Sequence, residues 1–174
     1  MKDNIDYLKS GFEIQQSMVD HFERFPDKST RPEFIVWGNR KIKTSDCLSV
    51  NRNGKVRFEI LHSHPAIRQG FDAKVDGWFT LQGGERVPLL RTWKEEELED
   101  TVEYPFFTKS GHMWVWNVYE MHYPSGLKVE ERWTGNAGFW IETVSDCERI
   151  YHCSPGMAKE PKFDDFVFKL TLLP

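Results

Sequence analysis

From Glu33 onward, apolar and polar residues alternate in short runs separated by Gly, Pro, Asn and Asp, the pattern of half-buried β-strands. The stretch from Lys55 to Pro65 is the clearest of these runs. Val56, Phe58, Ile60, His62 and His64 fall on one side of a period-two pattern, and Lys55, Arg57, Glu59 and Ser63 fall on the other. Its interior row therefore begins with three apolar residues and ends with two imidazoles, just before Pro65, which cannot continue a central strand. Asn53-Gly54 is the strongest two-residue hairpin signal in the chain and predicts that Ile42 to Val50 pairs with Lys55 to His64. A strand begins earlier, within Phe34 to Thr44. Phe71 to Leu81 follows, with Phe71, Ala73, Val75, Phe79 and Leu81 on one face, and Gln82 to Glu85 turns into Arg86 to Trp93, where Pro88 marks an edge or a bulge. His112 to His122, Leu127 to Trp133, Phe139 to Val144, Glu148 to Cys153 and Phe166 to Leu172 complete the set. Ser110-Gly111, Pro124 to Gly126, Gly135-Asn136 and Pro155-Gly156 punctuate these runs.

Ahead of the strands, Ile5, Leu8, Phe12, Val19 and Phe22 recur three or four apart, which predicts one amphipathic helix from an Asn4 cap to about Phe25. Gln15 and Gly11 weaken its stripe, and it is expected to pack as a lid or brace on a larger body. Roughly nine strands after one helix predict a mainly β fold. The expected architecture is an antiparallel β-barrel or strongly curved sheet, calycin- or lipocalin-like, with one N-terminal α-helix. Residues 1–174 then form a single domain, with the helix over 4–25 and the sheet over 33–174. Closure removes exposed strand edges, and a barrel of this size commonly encloses one small ligand.

Composition places the chain among globular proteins, at 39% hydrophobic and 29% charged residues. Aromatic residues reach 14%, with 7 Trp, 13 Phe and 5 Tyr, enough to fill a core and line a cavity as well. A net charge of −4 gives no overall drive toward nucleic acid or anionic membranes, so neither is expected as a partner. The first residues lack the uninterrupted apolar run of a secretory signal, and no stretch has the length of a membrane span. Three cysteines without a Cys-x-x-Cys pair fit a reducing compartment, and the cytoplasm is the expected location. Cys47 and Cys153 are expected to act as small buried apolar residues. No phosphate-binding loop, dinucleotide fingerprint or nucleophile elbow is present, and no cofactor is expected.

Polar residues on apolar strand faces carry the candidate chemistry, because burying a charge costs free energy unless it is paired or used. His62 and His64 are one such pair. Arg91 shares parity with Leu89 and Trp93, and Glu131 lies between Val129 and Trp133. Glu120 follows Trp114, Trp116 and Val118, while His152 follows Ile150. If these rows face one cavity, His62, His64 and Glu131 supply acid–base groups. Arg91, Trp93, Trp114, Trp116, Glu120, Trp133 and His152 then form the ligand-binding shell. Burial would raise the pKa of Glu131 and pairing with Arg91 would lower it. The plainer alternative places each residue near a rim, satisfied by a neighbour or by water.

Two local resemblances bear on this. The central stretch resembles a fragment of the first cupin motif, with Gly54 upstream and Gly77 downstream. Its Gly54 to His62 spacing is too long, Gln69 stands where the family has a glutamate, and Pro124 to Gly126 lacks the following histidine, so no metal site is assigned. The eight residues from Glu148 to Pro155 resemble the late-strand signature of the S-type phycobiliprotein lyases. Those are lipocalin-like barrels that carry open-chain tetrapyrroles, and the resemblance implies a calycin-type barrel. His152 and Cys153 occupy variable places in the signature, so no family role falls on them.

The expected function is binding of a small, largely apolar or aromatic molecule in an aromatic-lined pocket. The alternatives are a cofactor-free isomerase, cyclase or lyase using the same pocket, and a protein-interaction factor of the immunity or inhibitor type that uses acidic loops such as Glu95 to Asp100. An edge carrying Pro88, with Trp140 and Tyr151 facing outward, suits a homodimer as well as a monomer.

Overall fold

The computed structural model describes residues 5–95 and 99–174. After a single 3-10 turn at Tyr7–Lys9 come α1 (Ile14–Arg24), β1 (Ile35–Trp37), β2 (Arg40–Ile42), β3 (Asp46–Ser49), β4 (Asn53–Ser63) and β5 (Gln69–Thr80). They are followed by β6 (Arg86–Trp93), β7 (Thr101–His122), β8 (Lys128–Glu131), β9 (Gly138–Ser145), β10 (Glu148–Ser154) and β11 (Phe166–Leu173). The strands β1 and β2 pair with each other, and the other nine form one antiparallel sheet with the path β6-β5-β7-β4-β11-β10-β9. In addition, β3 and β8 pair with β7. The protein is mainly β with one α-helix, and no closed barrel is found among the described residues.

The organising element is β7. One of its sides pairs with β5, and the other pairs in turn with β4, β3 and β8. Strands β3 and β4 therefore run in line beside β7, Asp46 opposite Val115 and Asn53 opposite Phe107. The hairpin expected at Asn53-Gly54 does not form. A long partner offers both segments an unbroken ladder, and that tertiary pairing outweighs the local turn signal. The two-residue hairpin turn falls instead at Gly38-Asn39, where Trp37 pairs with Arg40.

The sheet folds back on itself. Phe58 and Phe71 stack with ring centroids 4.5 Å apart. Their partners on β7 are Val102 and Asn117, which would stand roughly 50 Å apart along a straight strand. β7 must therefore turn a corner, and it does so at residues 108–111, where Gly111 takes φ 74°, in the left-handed region that favours glycine. At the same place the register of β5 on β7 shifts between Val75 and Gly77. Asp76, in that gap, accepts hydrogen bonds from the Thr108 hydroxyl and from the amides of Lys109 (3.0 Å) and Ser110 (3.0 Å). These bonds, the Thr108 hydroxyl first, hold the Asp76 carboxyl down to about 2 from its ordinary 3.8. The carboxylate is favoured in the folded state, so its contribution is present above the unfolded value and disappears as pH falls from about 4 toward 2. Thermal unfolding followed over this range should show a steeper fall in Tm for the wild type than for Asp76→Asn. Parallel curves would show that Asp76 does not pin the corner.

The main core fills the concave side. Phe58, Phe71, Phe168, Tyr151 and Phe139 form a continuous column, with successive centroids 4.5, 4.8, 4.6 and 5.4 Å apart. Of the row expected on β5, Phe71, Ala73, Val75 and Phe79 are all buried, while Leu81 lies just past the strand and packs partly buried against the core. Pro88 lies in β6, an edge strand, beside a register shift against β5, as anticipated. Tyr151 is buried rather than outward. Cys153 is buried as expected, whereas Cys47 is exposed.

A smaller core joins Tyr7, Ile14, Met18, Ile35, Trp37, Ile42 and Phe163. The helix braces the β1–β2 hairpin rather than roofing the concave face. It is shorter than predicted because Gly11 takes φ 77° and separates the 3-10 turn from α1. Its buried stripe is Ile14, Ser17, Met18 and His21, while Leu8, Phe12, Val19 and Phe22 point outward. The expected Asn4 cap lies outside the described residues, and Asp6 caps the 3-10 turn through the Leu8 amide. No helix among the described residues is long and apolar enough to cross a membrane.

Candidate functional site

The open part of the curved sheet creates a cavity. Residues 101–105 of β7 pair with β4 alone and β6 pairs with β5 alone, so the space between the two is not bridged by a ladder. A cavity of about 460 Å³ lies there, lined by Phe58, Ile60, Phe71, Val102 and Tyr104 within and by Arg91 to Glu95, Glu99 and Asp100 at the mouth. Its walls are mostly apolar because it continues the aromatic core. Tyr104 is half-buried, and burial raises its pKa above the ordinary phenol value, so it is a neutral donor and acceptor at neutral pH. The charged groups at the mouth are largely engaged. Lys94 pairs with Asp100, and Glu95 accepts from Arg68 Nε at 2.9 Å. Of the acidic loop expected as an interaction surface, residues 96–98 lie outside the described residues.

Of the predicted shell, Arg91 and Trp93 line this cavity. Arg91 donates through Nε and Nη2 to both oxygens of Asp72, each at 2.8 Å, and through Nη1 to Glu130 at 3.0 Å. The Asp72 hydrogen bonds hold its pKa above the ordinary arginine value. Its fork is thus committed within the protein rather than aimed at a ligand, and its carboxylate partners are Asp72 and Glu130 rather than Glu131. Trp93 lies beneath the Arg68 guanidinium, 4.0 Å from its ring centroid.

His62 and His64 are exposed and do not end an interior row. The reason is a bulge in β4. Val167 pairs with His62 but Phe168 pairs with Ile60, so Leu61 is an extra residue and the alternation inverts beyond it. The Ala66 amide donates to His64 Nδ1 at 3.2 Å, and the His64 amide donates to the Asp165 carbonyl at 2.7 Å. Glu131 ends β8, where it accepts from Tyr123 (2.7 Å) and Thr134 (2.8 Å). Trp133 lies beyond the strand at φ 60°, so the parity linking it to Glu131 does not hold. Glu120 accepts from Arg68 at 3.5 Å and partners His122 at 2.8 Å. His152 stacks flat on Trp140 at 3.9 Å and pairs with Glu142 at 3.0 Å. The histidines, Glu131, Glu120 and His152 do not converge on the cavity.

Trp114, Trp116 and Trp133 do meet, but in a second groove of about 510 Å³ with Lys74, Asp76, Leu89 and Arg132. Lys74 and Asp76 alternate with the core residues Ala73 and Val75, which puts this groove on the opposite side of β5. Beneath it Asp72 is fully buried, accepting from Trp116 Nε1 at 3.0 Å and lying 3.9 Å from Arg132 Nη1.

Several site residues were not legible in advance. Val102 and Tyr104 fall between the acidic run ending at Asp100 and the strand expected from His112, a segment assigned to no element, although Val102, Tyr104 and Phe106 have the period of a strand face. Asp46 is a second buried carboxylate, held by Lys43 (3.0 Å), Arg149 (2.9 Å) and the Tyr151 hydroxyl (2.7 Å). Burial first, and then Asp46, pushes the Tyr151 pKa well above the ordinary phenol value. Among the described residues no group of three or more His, Cys, Asp or Glu side chains is placed to hold a metal ion. Set against protein-family models, curated proteins and solved structures, the chain matches none of them.

Proposed function

We propose that the protein binds a small, largely apolar aromatic molecule in the cavity between β6 and the start of β7. The observation that carries this is the cavity itself. At about 460 Å³ it falls within the usual range for small-molecule sites, and it is lined by Phe58, Phe71, Ile60, Val102 and Tyr104. A well-packed domain does not ordinarily leave so large an apolar space beside its core. The Tyr104 hydroxyl makes no hydrogen bond among the described residues and supplies one directional contact beside the apolar Phe58, Ile60, Phe71 and Val102. The use of a curved sheet's concave side is lipocalin-like. The acid–base alternative gains no support, since His62, His64 and Glu131 have no common focus.

Fluorescence titration with N-phenylnaphthylamine, a neutral apolar aromatic probe, tests the proposal. The wild type should bind it with enhanced emission. Val102→Trp, which fills the cavity, should abolish the signal while keeping the fold, and Tyr104→Leu should leave apolar binding in place. Equal binding by the wild type and Val102→Trp would put the probe elsewhere and overturn the assignment.

The interaction alternative draws on a different observation, the outward Val19 and Phe22 of α1 with Phe12 just ahead of it, each between 44% and 46% exposed. It is separable from the cavity, because Phe22→Glu would leave probe binding unchanged.

A further inference from the structure

We infer that the second groove, on the far side of β5 from the core, is a binding site for a planar aromatic anion. Three features converge there. The first is a set of indole faces backed by a fixed cation. The Arg132 guanidinium lies 4.4 Å from the ring centroid of Trp133 and 5.1 Å from that of Trp116. Its position is set by these rings and by buried Asp72, so it is a pre-organised cation between aromatic surfaces rather than a freely swinging side chain.

The second feature is the placement of Trp133. At φ 60° it occupies the left-handed region, which a bulky residue rarely adopts. Its indole N–H donates to the Thr44 carbonyl at 2.8 Å, which fixes the ring across the groove while 41% of the residue remains exposed. Backbone strain held in place by its surroundings, with a large aromatic surface left open to solvent, is the arrangement expected of a recognition element.

The third feature is charge. Lys74 stands between Trp114 on β7 and Leu89 on β6 in cross-strand register, is exposed, and makes no ion pair among the described residues. Asp76, the one carboxylate lining the groove among the described residues, stays ionised, with its oxygens turned to the Thr108 hydroxyl and the Lys109 and Ser110 amides. A flat ring carrying a carboxylate, sulfonate or phosphate would stack on the fixed indole of Trp133 and place its charge by Lys74. A neutral ring would gain only the stacking. The groove volume of about 510 Å³ accommodates a bicyclic ring with its substituent. This site is independent of the concave cavity, and either can fail without the other.

The test compares naphthoate with its neutral isostere naphthamide by calorimetric titration of the full chain. The expected result is naphthoate binding about tenfold tighter than naphthamide. Lys74→Gln should erase most of that preference without loss of stability, because the side chain is exposed and makes no ion pair among the described residues. Trp133→Gly should keep the fold, since glycine takes φ 60° without strain, and should lose binding of both ligands. Val102→Trp should bind naphthoate as the wild type does. Equal affinity for acid and amide would overturn the inference, as would an unchanged preference in Lys74→Gln. Loss of naphthoate binding in Val102→Trp would place the ligand in the concave cavity and overturn it as well. Binding of a neutral oligosaccharide by the groove, with naphthoate failing, would make the tryptophans a sugar platform and reject the anion.

Discussion

Phe168→Ala is expected to destabilise the protein by about 4 kcal/mol, because it removes a fully buried ring from the middle of the aromatic column. Phe168 lies between Phe71, 4.8 Å away, and Tyr151, 4.6 Å away, with interplanar angles of 19° and 9°. Phe166 packs beside it at 5.6 Å. The column ties β4, β5, β11, β10 and β9 together across the folded sheet, so a void at its centre loosens contacts from strands that do not pair with one another. Urea unfolding measures the effect. Phe168→Leu, which retains most of the volume, should cost about half as much. A loss below about 1 kcal/mol for the alanine variant would mean that the site collapses around the void, and that the column does not hold the curvature.

The second large effect is expected at Asp72. Its carboxylate is fully buried, accepts from Nε and Nη2 of Arg91 and also satisfies the Trp116 indole N–H. Asp72→Ala leaves the Trp116 indole N–H without its acceptor and Arg91 with Glu130 alone, a change expected to cost about 3 kcal/mol. Arg91 is about a third exposed, which lets water recover part of the loss and keeps the cost at the lower end for a buried pair. Asp72→Leu with Arg91→Met should be more stable than Asp72→Leu alone, because the second change removes a guanidinium that has lost its buried, bidentate partner. Chemical denaturation of the three variants checks this. Additive losses would contradict the coupling. The same network fixes the floor of the second groove, so Asp72→Ala should also loosen Arg132 over Trp116.

Much of the strand pattern is legible in the sequence because a half-buried strand writes its alternation locally. The row Phe71, Ala73, Val75 and Phe79 and the edge character of Pro88 follow from that alone. What local pattern does not contain is which distant segment a strand pairs with. Asn53-Gly54 is a good turn by composition, yet β7 is long enough to pair with β3 and β4 in succession, and the chain runs straight through. The first half of β7 itself is masked by Thr, Glu and Lys on its outward face.

The candidate site was less legible, for two reasons. A single extra residue, Leu61, inverts the parity of everything after it, and this moves His62 and His64 from interior to surface. A break in strand geometry does the same at Trp133, whose φ of 60° separates it from the Glu131 row. Asp72 escapes notice for another reason. A polar residue on the side opposite the core looks solvated until Arg91, Arg132 and Trp116 cover it. Asp46 could have been found. It alternates with buried Leu48, so the rule that selects Glu131 selects Asp46 as well.

The central claim is that a small aromatic molecule occupies the space between β6 and the start of β7. Methyl-resolved NMR during titration with N-phenylnaphthylamine tests it most directly, because Ile60 and Val102 line the cavity and an aromatic guest shifts nearby methyl signals through its ring current. The predicted result is a saturable shift of the Ile60 and Val102 methyls, with the Val19 methyls on α1 and the Leu89 methyls in the second groove unmoved. Shifts confined to Val19 or Leu89, with Ile60 and Val102 unchanged at saturation, would contradict the account.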